Sequence, residues 1–238
     1  MVGLTRKPAP TGVPGCQSWF TMRNGVIDRV LEGFSRGGDP TVMALVGRSG
    51  SGKTTVAASF VDLWRGIHRL QKGETEIQAR VRLNRAQASF PDGVLWLQVG
   101  EDGGRADRLP FLMRTLAKKL HKEVLGNSGD DPATVSGDIT SYIKKLVAQG
   151  KRGEGGMSCL VVADDVWEAA VVDKLRQTGL SVLVTTRHDS VGFDEKVMVD
   201  KLSLEEAENL LRSAAGFRED EHLPDEAQTI LELSLIHI

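Results

Sequence analysis

A glycine-rich loop between an apolar run and a helical run constrains this chain more than any other feature. Gly47–Thr55 reads GRSGSGKTT and fits the pattern G-x-x-x-x-G-K-T. The apolar run Val42–Val46 ahead of it predicts a buried strand, and the stretch from Thr54 to about Trp64 predicts a helix. Glycines let successive backbone N–H groups turn toward one anion, and a helix N-terminus adds partial positive charge. The pattern therefore predicts a phosphate-binding loop in a fold of alternating strands and helices.

The residue types within the loop indicate that the phosphate belongs to a nucleotide, ADP or ATP. We expect the Lys53 ammonium to reach the β- and γ-phosphates and the Thr54 hydroxyl to bind Mg²⁺. A chance match is the alternative, but chance rarely supplies a β-branched strand before the loop and a helix after it. The residues expected to bind the nucleotide are Gly47, Arg48, Ser49, Gly50, Ser51, Gly52, Lys53, Thr54 and Thr55.

Two adjacent carboxylates follow a second apolar run. Cys159–Ala163 predicts a buried strand, and Asp164 and Asp165 come directly after it. Ligands of parallel α/β sheets bind at the carboxyl ends of the strands, so we expect these carboxylates beside the loop. Asp164 would hold Mg²⁺ opposite Thr54, directly or through water, and Asp165 would orient or polarise an attacking water. A strand leading into a turn is the alternative, and the position after a phosphate-binding loop favours the functional interpretation.

An arginine follows a third apolar run, Val182–Thr186. If that strand lies beside the loop, Arg187 faces the γ-phosphate and reports its presence. A surface arginine after a strand explains the residue equally well on this pattern alone. We expect Lys53, Asp165 and Arg187 to carry the chemistry of the site.

Composition argues against several partners. The 238 residues carry a formal net charge of −2, so no overall positive field attracts nucleic acid or an acidic membrane. No apolar run approaches the roughly 20 residues needed to span a bilayer. The basic stretch Arg65–Arg85 lacks aromatic residues for base stacking, which favours a solvated helix and loop. Cys16 and Cys159 provide no disulfide framework, which predicts a cytoplasmic, reducing location.

Apolar periodicity along the chain predicts strands alternating with amphipathic helices. We therefore predict an α/β, three-layer P-loop NTPase fold with a central parallel sheet. Ser203–Glu206 forms a capping box, which predicts a helix to about Ala215. The predicted divisions are a flexible leader at 1–18 and a nucleotide-binding domain at 19–200.

The other predicted elements follow the same periodicity. A helix is expected from about Leu109 to Val124, with Phe111, Leu112, Leu116 and Leu120 on its apolar face. Further helices are expected over 22–36, from about Pro132 or Gly137 to Gln149, and through Trp167 and Leu175. Further strands are expected over Val94–Val99 and Val197–Val199.

Five segments, in order, resemble the NB-ARC family of signalling ATPases, the nucleotide switches of plant resistance proteins and animal apoptosis activators. Leu160–Glu168 reads LVVADDVWE and is close to the family's LLVLDDVW. Ser181–Arg187 reads SVLVTTR and is close to the family's S-x-x-L-x-T-T-R. The five segments are Val46–Thr55, Asp92–Val99, Leu160–Glu168, Ser181–Arg187 and Val199–Ala207.

The resemblance implies a nucleotide switch of the defence or cell-death type, in which the start of a helical subdomain, at 201–232, follows the nucleotide-binding domain. It implies ADP held tightly at rest, exchange for ATP on activation, and protein partners or self-association on activation. We expect ATP hydrolysis to be slow, because Asp165 is a short carboxylate and no glutamate is placed as a base. Arg187 would correspond to the family's sensor arginine. Arg23 would correspond to the arginine of the family's entry segment, which lies near the adenine.

Two family motifs, G-L-P-L-A and the later M-H-D, do not occur in this sequence. We expect the native sequence to end near Glu232, because residues 233–238, LSLIHI, equal the translation of a transposon end used in sequencing-library adapters. A natural helix end is the alternative. Apolar side chains of the helical subdomain should then be partly exposed, namely Leu210, Leu211, Phe217, Ile230 and Leu231.

Other classes of P-loop protein are alternatives to a switch. A metabolic or transport ATPase or a small-molecule kinase would share the loop, although the transporter signature L-S-G-G-Q and a lid-like arginine cluster are absent. A DNA-linked ATPase of recombinase type is a third possibility, which the lack of net basicity disfavours. Fast phosphate transfer would indicate a kinase, and retained ADP with slow turnover a switch.

Overall fold

The computed structural model describes residues 7–15, 23–36, 41–67, 74–125, 138–149 and 156–217, with residues 224, 226, 227 and 229. Several expectations lie outside these residues and are not addressed by it. They concern residues 1–6 and 16–18 of the leader, Cys16, the expected helix starts at Pro132 and Gly137, Ile230, Leu231 and the tail at 233–238.

Five parallel strands form one sheet within the described ranges, in the order β2-β3-β4-β1-β5. Strand β1 pairs with β4 on one side and β5 on the other, so the loop after β1 lies between the ends of two neighbours. The predicted α/β fold with a central parallel sheet is confirmed. The strands are β1 Val42–Val46, β2 Gly93–Gln98, β3 Cys159–Val166, β4 Ser181–Thr186 and β5 Glu195–Met198.

Helices cover both faces of this sheet. Alternate residues of β1 enter two separate apolar clusters, because side chains of a strand point to opposite faces in turn. Helices α1, α2 and α3 contribute to one cluster, and α4, α5 and α6 contribute to the other, which gives three layers. The helices are α1 Asn24–Arg36, α2 Lys53–Trp64, α3 Glu76–Ser89, α4 Leu109–Lys119, α5 Ile139–Gln149, α6 Ala169–Gln177 and α7 Leu204–Ala215, and Leu120–Val124 extends α4 as a π-helical turn. No described helix combines the length and apolar character that crossing a membrane requires.

The apolar face of α4 differs from the expected one at a single residue. Leu112, Leu116 and Leu120 are buried as predicted, but the Phe111 side chain is 67% exposed. The buried stripe also contains Met113. The centre of the stripe is therefore displaced from Leu112 in the direction opposite to Phe111. Successive helical positions are about 100° apart, which turns Phe111 away from the core.

Helix α7 is well capped but buries little. The Ser203 hydroxyl accepts from the Glu206 N–H and the Glu206 carboxylate accepts from the Ser203 N–H, so the predicted capping box is present. Ala207 is the buried residue of this helix, and it packs with the partly buried Leu202, Leu211 and Phe217. The helix therefore depends on local capping more than on a core.

Residues 7–15 contact the α/β unit, although they belong to a segment expected to be flexible. The Lys7 N–H donates to the Arg65 carbonyl, and the Lys7 ammonium lies 4.5 Å from the centre of the Trp64 ring. Thr11 bonds to the Glu123 carboxylate, and Lys119 donates to the Thr11 carbonyl at 2.6 Å. These contacts connect the segment to the end of α2 and to the π-helical turn after α4.

Candidate functional site

The predicted phosphate loop lies between the end of β1 and the start of α2. Gly50 and Gly52 have φ angles of 78° and 88°, a region that favours glycine. Gly52 caps α2 without a side-chain hydrogen bond, and the first turn of α2 carries no acidic residue. The N–H groups at this helix end are therefore not covered by a side-chain cap, as an anion site requires. Arg48, Ser49 and Gly50 are exposed at the tip of the loop.

Lys53 is a buried cation beside this loop. Its side-chain ammonium donates to the Gly47 carbonyl at 2.9 Å and to the Arg48 carbonyl at 2.7 Å, and it forms no ion pair within the described residues. Burial lowers the pKa of Lys53, and the positive charge of Arg187 lowers it further, while Asp165 and Asp164 act in the opposite direction. Because a buried charge is costly unless it is paired, an anion bound here would stabilise Lys53.

Ser51 provides a second polar group that the described residues leave unsatisfied. Its hydroxyl oxygen is buried and has no hydrogen-bond partner among them. Buried polar groups in folded proteins are nearly always hydrogen-bonded, so an exception needs a physical reason. A phosphate oxygen in the loop would give the Ser51 hydroxyl an acceptor. The loop thus fits a phosphate by its backbone, by its cation and by this hydroxyl.

Asp164 closes the opposite side of the site. The Thr54 hydroxyl donates to Asp164 Oδ1 at 2.8 Å, and the Thr185 hydroxyl donates to the same oxygen at 2.6 Å. Asp164 is only 3% exposed. The structure thus brings together the two residues predicted to bind Mg²⁺. A hydroxyl and a carboxylate are hard oxygen ligands of the kind that Mg²⁺ prefers, so this pair fits the ion.

Asp165 adopts an unusual backbone conformation. Strand β3 was expected to end at Ala163, but it continues to Val166, which pairs with Thr186 after a register shift. Asp165 lies in this irregular stretch with φ of 60°, the left-handed region. Its N–H donates to the Thr185 hydroxyl at 2.8 Å, and the Trp167 indole N–H donates to its Oδ1 at 3.0 Å. The carboxylates therefore lie in a bulge and not beyond the strand end, because the apolar Val166 returns to the sheet.

Arg187 lies directly after β4 and is exposed. Its guanidinium carbon lies 5.0 Å from the centre of the Trp167 ring. The His188 ring also contacts Trp167, with ring centres 5.0 Å apart. Since Arg187 lowers the pKa of Lys53, its charge acts at the loop even from the indole face.

Two further residues of the site were not singled out from the sequence. Thr185 bonds to both aspartates, and Trp167 contacts both Asp165 and Arg187. A weak signal existed for Thr185, since a threonine interrupts the apolar run of β4. No local sequence signal indicates that Trp167 contacts Asp165 and Arg187, because these contacts depend on the bulge in β3.

The Arg23 side chain contacts the segment that leads into α7. Its guanidinium donates to the Asp200 carbonyl at 2.7 Å and the Lys201 carbonyl at 3.3 Å, and its Nε lies 3.3 Å from the Glu206 carboxylate. The expected position near the adenine stays a prediction. The described contacts tie the start of α1 to the start of α7.

Comparison with known families supports the resemblance. The NB-ARC domain family matches residues 72–221, from ahead of α3 to beyond α7. The matched range contains Asp164, Asp165 and Arg187 and begins after the phosphate loop. No curated protein matches the chain. The matched family consists of nucleotide-binding signalling ATPases, and its range covers more than half of the sequence. The chain therefore belongs to the NB-ARC family.

Proposed function

We propose that this chain is an ADP/ATP switch, in which the loop Gly47–Thr55 binds the phosphates. The observation that carries the proposal is the buried Lys53 ammonium, which contacts two backbone carbonyls at the start of a helix without a side-chain cap. Backbone carbonyls compensate a buried cation less well than an anion does. The β-phosphate supplies that anion in both ADP and ATP, so both nucleotides bind.

Mg²⁺ would be held by the Thr54 hydroxyl and the Asp164 carboxylate, together with nucleotide oxygens. The ion would supply neutralisation of the charge that develops on the phosphates. The Thr185 hydroxyl keeps Asp164 oriented, because its bond ends on the same carboxylate oxygen as that of Thr54. Orientation of a metal-binding carboxylate by a neighbouring donor is a common requirement of metal sites.

Hydrolysis of ATP by this site would be slow. A water oxygen bonds to the γ-phosphorus, the bond to the bridging oxygen breaks, and that oxygen keeps the electron pair as ADP leaves. Asp165 orients the water, and the proton passes to the carboxylate or to solvent. Asp165 Oδ1 already accepts from the Trp167 N–H, so one of its two oxygens is engaged.

Nucleotide state would reach helix α7 through the segment that follows β5. The Val199 N–H donates to the Val46 carbonyl at 2.7 Å, next to the loop, and Arg23 binds the following two carbonyls. A γ-phosphate that attracts Arg187 and Lys53 favours one arrangement of this edge over another. ADP would be retained at rest and exchanged for ATP on activation.

The cellular role that we propose is signalling of the defence or cell-death type, through protein partners or self-association. The support is the family, whose members are signalling ATPases. We propose a cytoplasmic location, since the buried Cys159 is a free thiol. These assignments rest on the family and on composition more than on the site.

Turnover measured on the purified chain tests the proposal. We expect ADP to be released on denaturation of the purified protein, and ATP hydrolysis slower than about 0.01 s⁻¹. Phosphate transfer at roughly 1–100 s⁻¹, as in typical kinases, would instead support a metabolic enzyme. Absence of both ADP and ATP binding in calorimetry would contradict the proposal altogether.

A further inference from the structure

One indole side chain contacts both groups that were expected to act on the γ-phosphate. The Trp167 N–H donates to Asp165 Oδ1 at 3.0 Å, and the Arg187 guanidinium lies 5.0 Å from the centre of the same ring. The N–H edge of the indole thus contacts the Asp165 carboxylate, and the ring lies under the Arg187 guanidinium. Both contacts match the charge distribution of an indole, which has a positive N–H edge and a negative face.

The bulge in β3 gives the contact with Asp165 a positioning role. In a regular strand the backbone fixes the direction of each side chain, but Asp165 has φ of 60° and lies in a register shift. The Thr185 hydroxyl holds the Asp165 N–H at 2.8 Å, which fixes the backbone. The indole N–H then fixes the carboxylate by a charge-assisted bond, which is stronger than a neutral one.

The contact with Arg187 has a similar role. Arg187 is exposed and forms no ion pair with any described residue, so the indole face is its contact within that part of the chain. Arg187 follows Thr186, which pairs with Val46, the last residue before the phosphate loop. The ring therefore holds the guanidinium at the strand end beside the loop that is expected to meet the phosphates.

We propose that Trp167 is a positioning residue that sets two properties of the site independently. Its N–H positions Asp165 and thereby sets the rate of hydrolysis. Its ring positions Arg187 and thereby sets the preference for ATP over ADP. This inference rests on the proposed function of the site and adds a residue and a division of roles to it.

Two substitutions separate the two contacts. Trp167→Phe removes the N–H and keeps an aromatic face, so we expect single-turnover hydrolysis to slow about tenfold, with the ratio of ATP to ADP affinity changed less than about twofold. Trp167→Leu removes both, so hydrolysis slows equally and the preference for ATP falls about threefold. A merely structural role would lower stability in both variants without separating rate from preference.

The chain offers a matched control in Trp64. Its N–H also donates to an oxygen, the Phe90 carbonyl at 3.0 Å, and a cation, Lys7, also lies over its ring. Trp64→Phe removes the same kind of bond outside the candidate site. We expect it to lower thermal stability while hydrolysis and nucleotide preference stay at the parental values.

The outcomes distinguish this inference from the function on which it rests. Hydrolysis at the parental rate in Trp167→Phe, together with slow hydrolysis in Asp165→Asn, would overturn the inference alone. A stronger preference for ATP in Trp167→Leu would also overturn it, because the ring would then compete with the phosphate for Arg187. A parental chain that binds neither nucleotide would overturn the proposed function and this inference together.

Discussion

The phosphate side and the carboxylate side of the candidate site differ in how far their own residues satisfy them. On the phosphate side, Lys53 reaches only backbone carbonyls among the described residues, and the buried Ser51 hydroxyl lacks a partner there. On the carboxylate side, Asp164 accepts from two hydroxyls, Thr54 and Thr185. The unsatisfied groups of the phosphate side lower the stability of the protein, and a ligand can offset that loss. The groups of the carboxylate side are satisfied by hydrogen bonds without a ligand.

Lys53→Ala tests the unsatisfied side and should give the largest effect. Removing the cation that faces the β-phosphate should weaken ADP binding about a hundredfold or more, which abolishes retention of ADP through purification. Titration calorimetry measures the affinity. Lys145→Ala, an exposed lysine of α5, is the control and should bind as the parent does. Unchanged ADP affinity in Lys53→Ala would show that the loop assignment is wrong.

Thr185→Val tests whether the carboxylate side is stable in itself. The variant leaves the buried Asp164 with one donor fewer and the Asp165 N–H without its acceptor, so the free energy of unfolding should fall by about 2 kcal/mol. Urea unfolding measures the change. Thr185→Ser keeps the hydroxyl and should lose less than half as much. A Thr185→Val variant that unfolds at the parental urea concentration would show that the hydroxyl does not stabilise this side of the site.

Asp164→Ala compares the two sides through their ligands. Because Asp164 is expected to hold Mg²⁺ and not phosphate, the affinity for Mg-ATP should fall about tenfold more than the affinity for metal-free ADP. Both affinities can be measured on one preparation. If both ligands lose affinity equally, Asp164 is not the magnesium carboxylate.

Lys53→Met tests the cost of the unsatisfied side in the protein without nucleotide. Burial lowers the pKa of Lys53 in the folded protein. Between that lowered value and the ordinary value near 10.5, the unfolded chain therefore binds more protons than the folded protein does. Stability of the parent therefore rises with pH across that window, and below it the charged form carries its full cost. We expect Lys53→Met to melt about 2 °C higher than the parent at neutral pH. The difference should shrink as pH increases through the window, and a constant difference would point to packing.

Local signals predicted much of the fold, including the strand, loop and helix in which the candidate phosphate side lies. The strand, loop and helix around Gly47–Thr55 and the capping box at Ser203 are each encoded within a few neighbouring residues. The positive φ of Asp165 was not predictable, because it arises where Val166 returns to its pairing with β4. The hydrogen-bond partners of Arg23 lie near residue 200, so a pattern of neighbouring residues could not predict them either.

Phe111 and the leader show two further limits of sequence patterns. Phe111 is apolar and close to the helical period, but the orientation of α4 is set by the residues that contact the sheet. The richness of the leader in proline and glycine describes its backbone, and says nothing of the contacts that Lys7 and Thr11 make with surfaces distant in sequence. The roles of the site residues stay predictions until nucleotide binding is measured.

Gly47 also sets how closely the loop approaches the segment that follows β5. A methyl group at this position would overlap the Val199 carbonyl oxygen, and Val199 begins the segment that leads to α7. The loop and that segment therefore approach each other as closely as a glycine allows, so a shift of the loop toward the segment would displace it. In a Gly47→Ala chain the added methyl group would displace both the Val199 carbonyl and the Ser51 hydroxyl, so the segment ahead of α7 and the loop would both shift before any nucleotide binds.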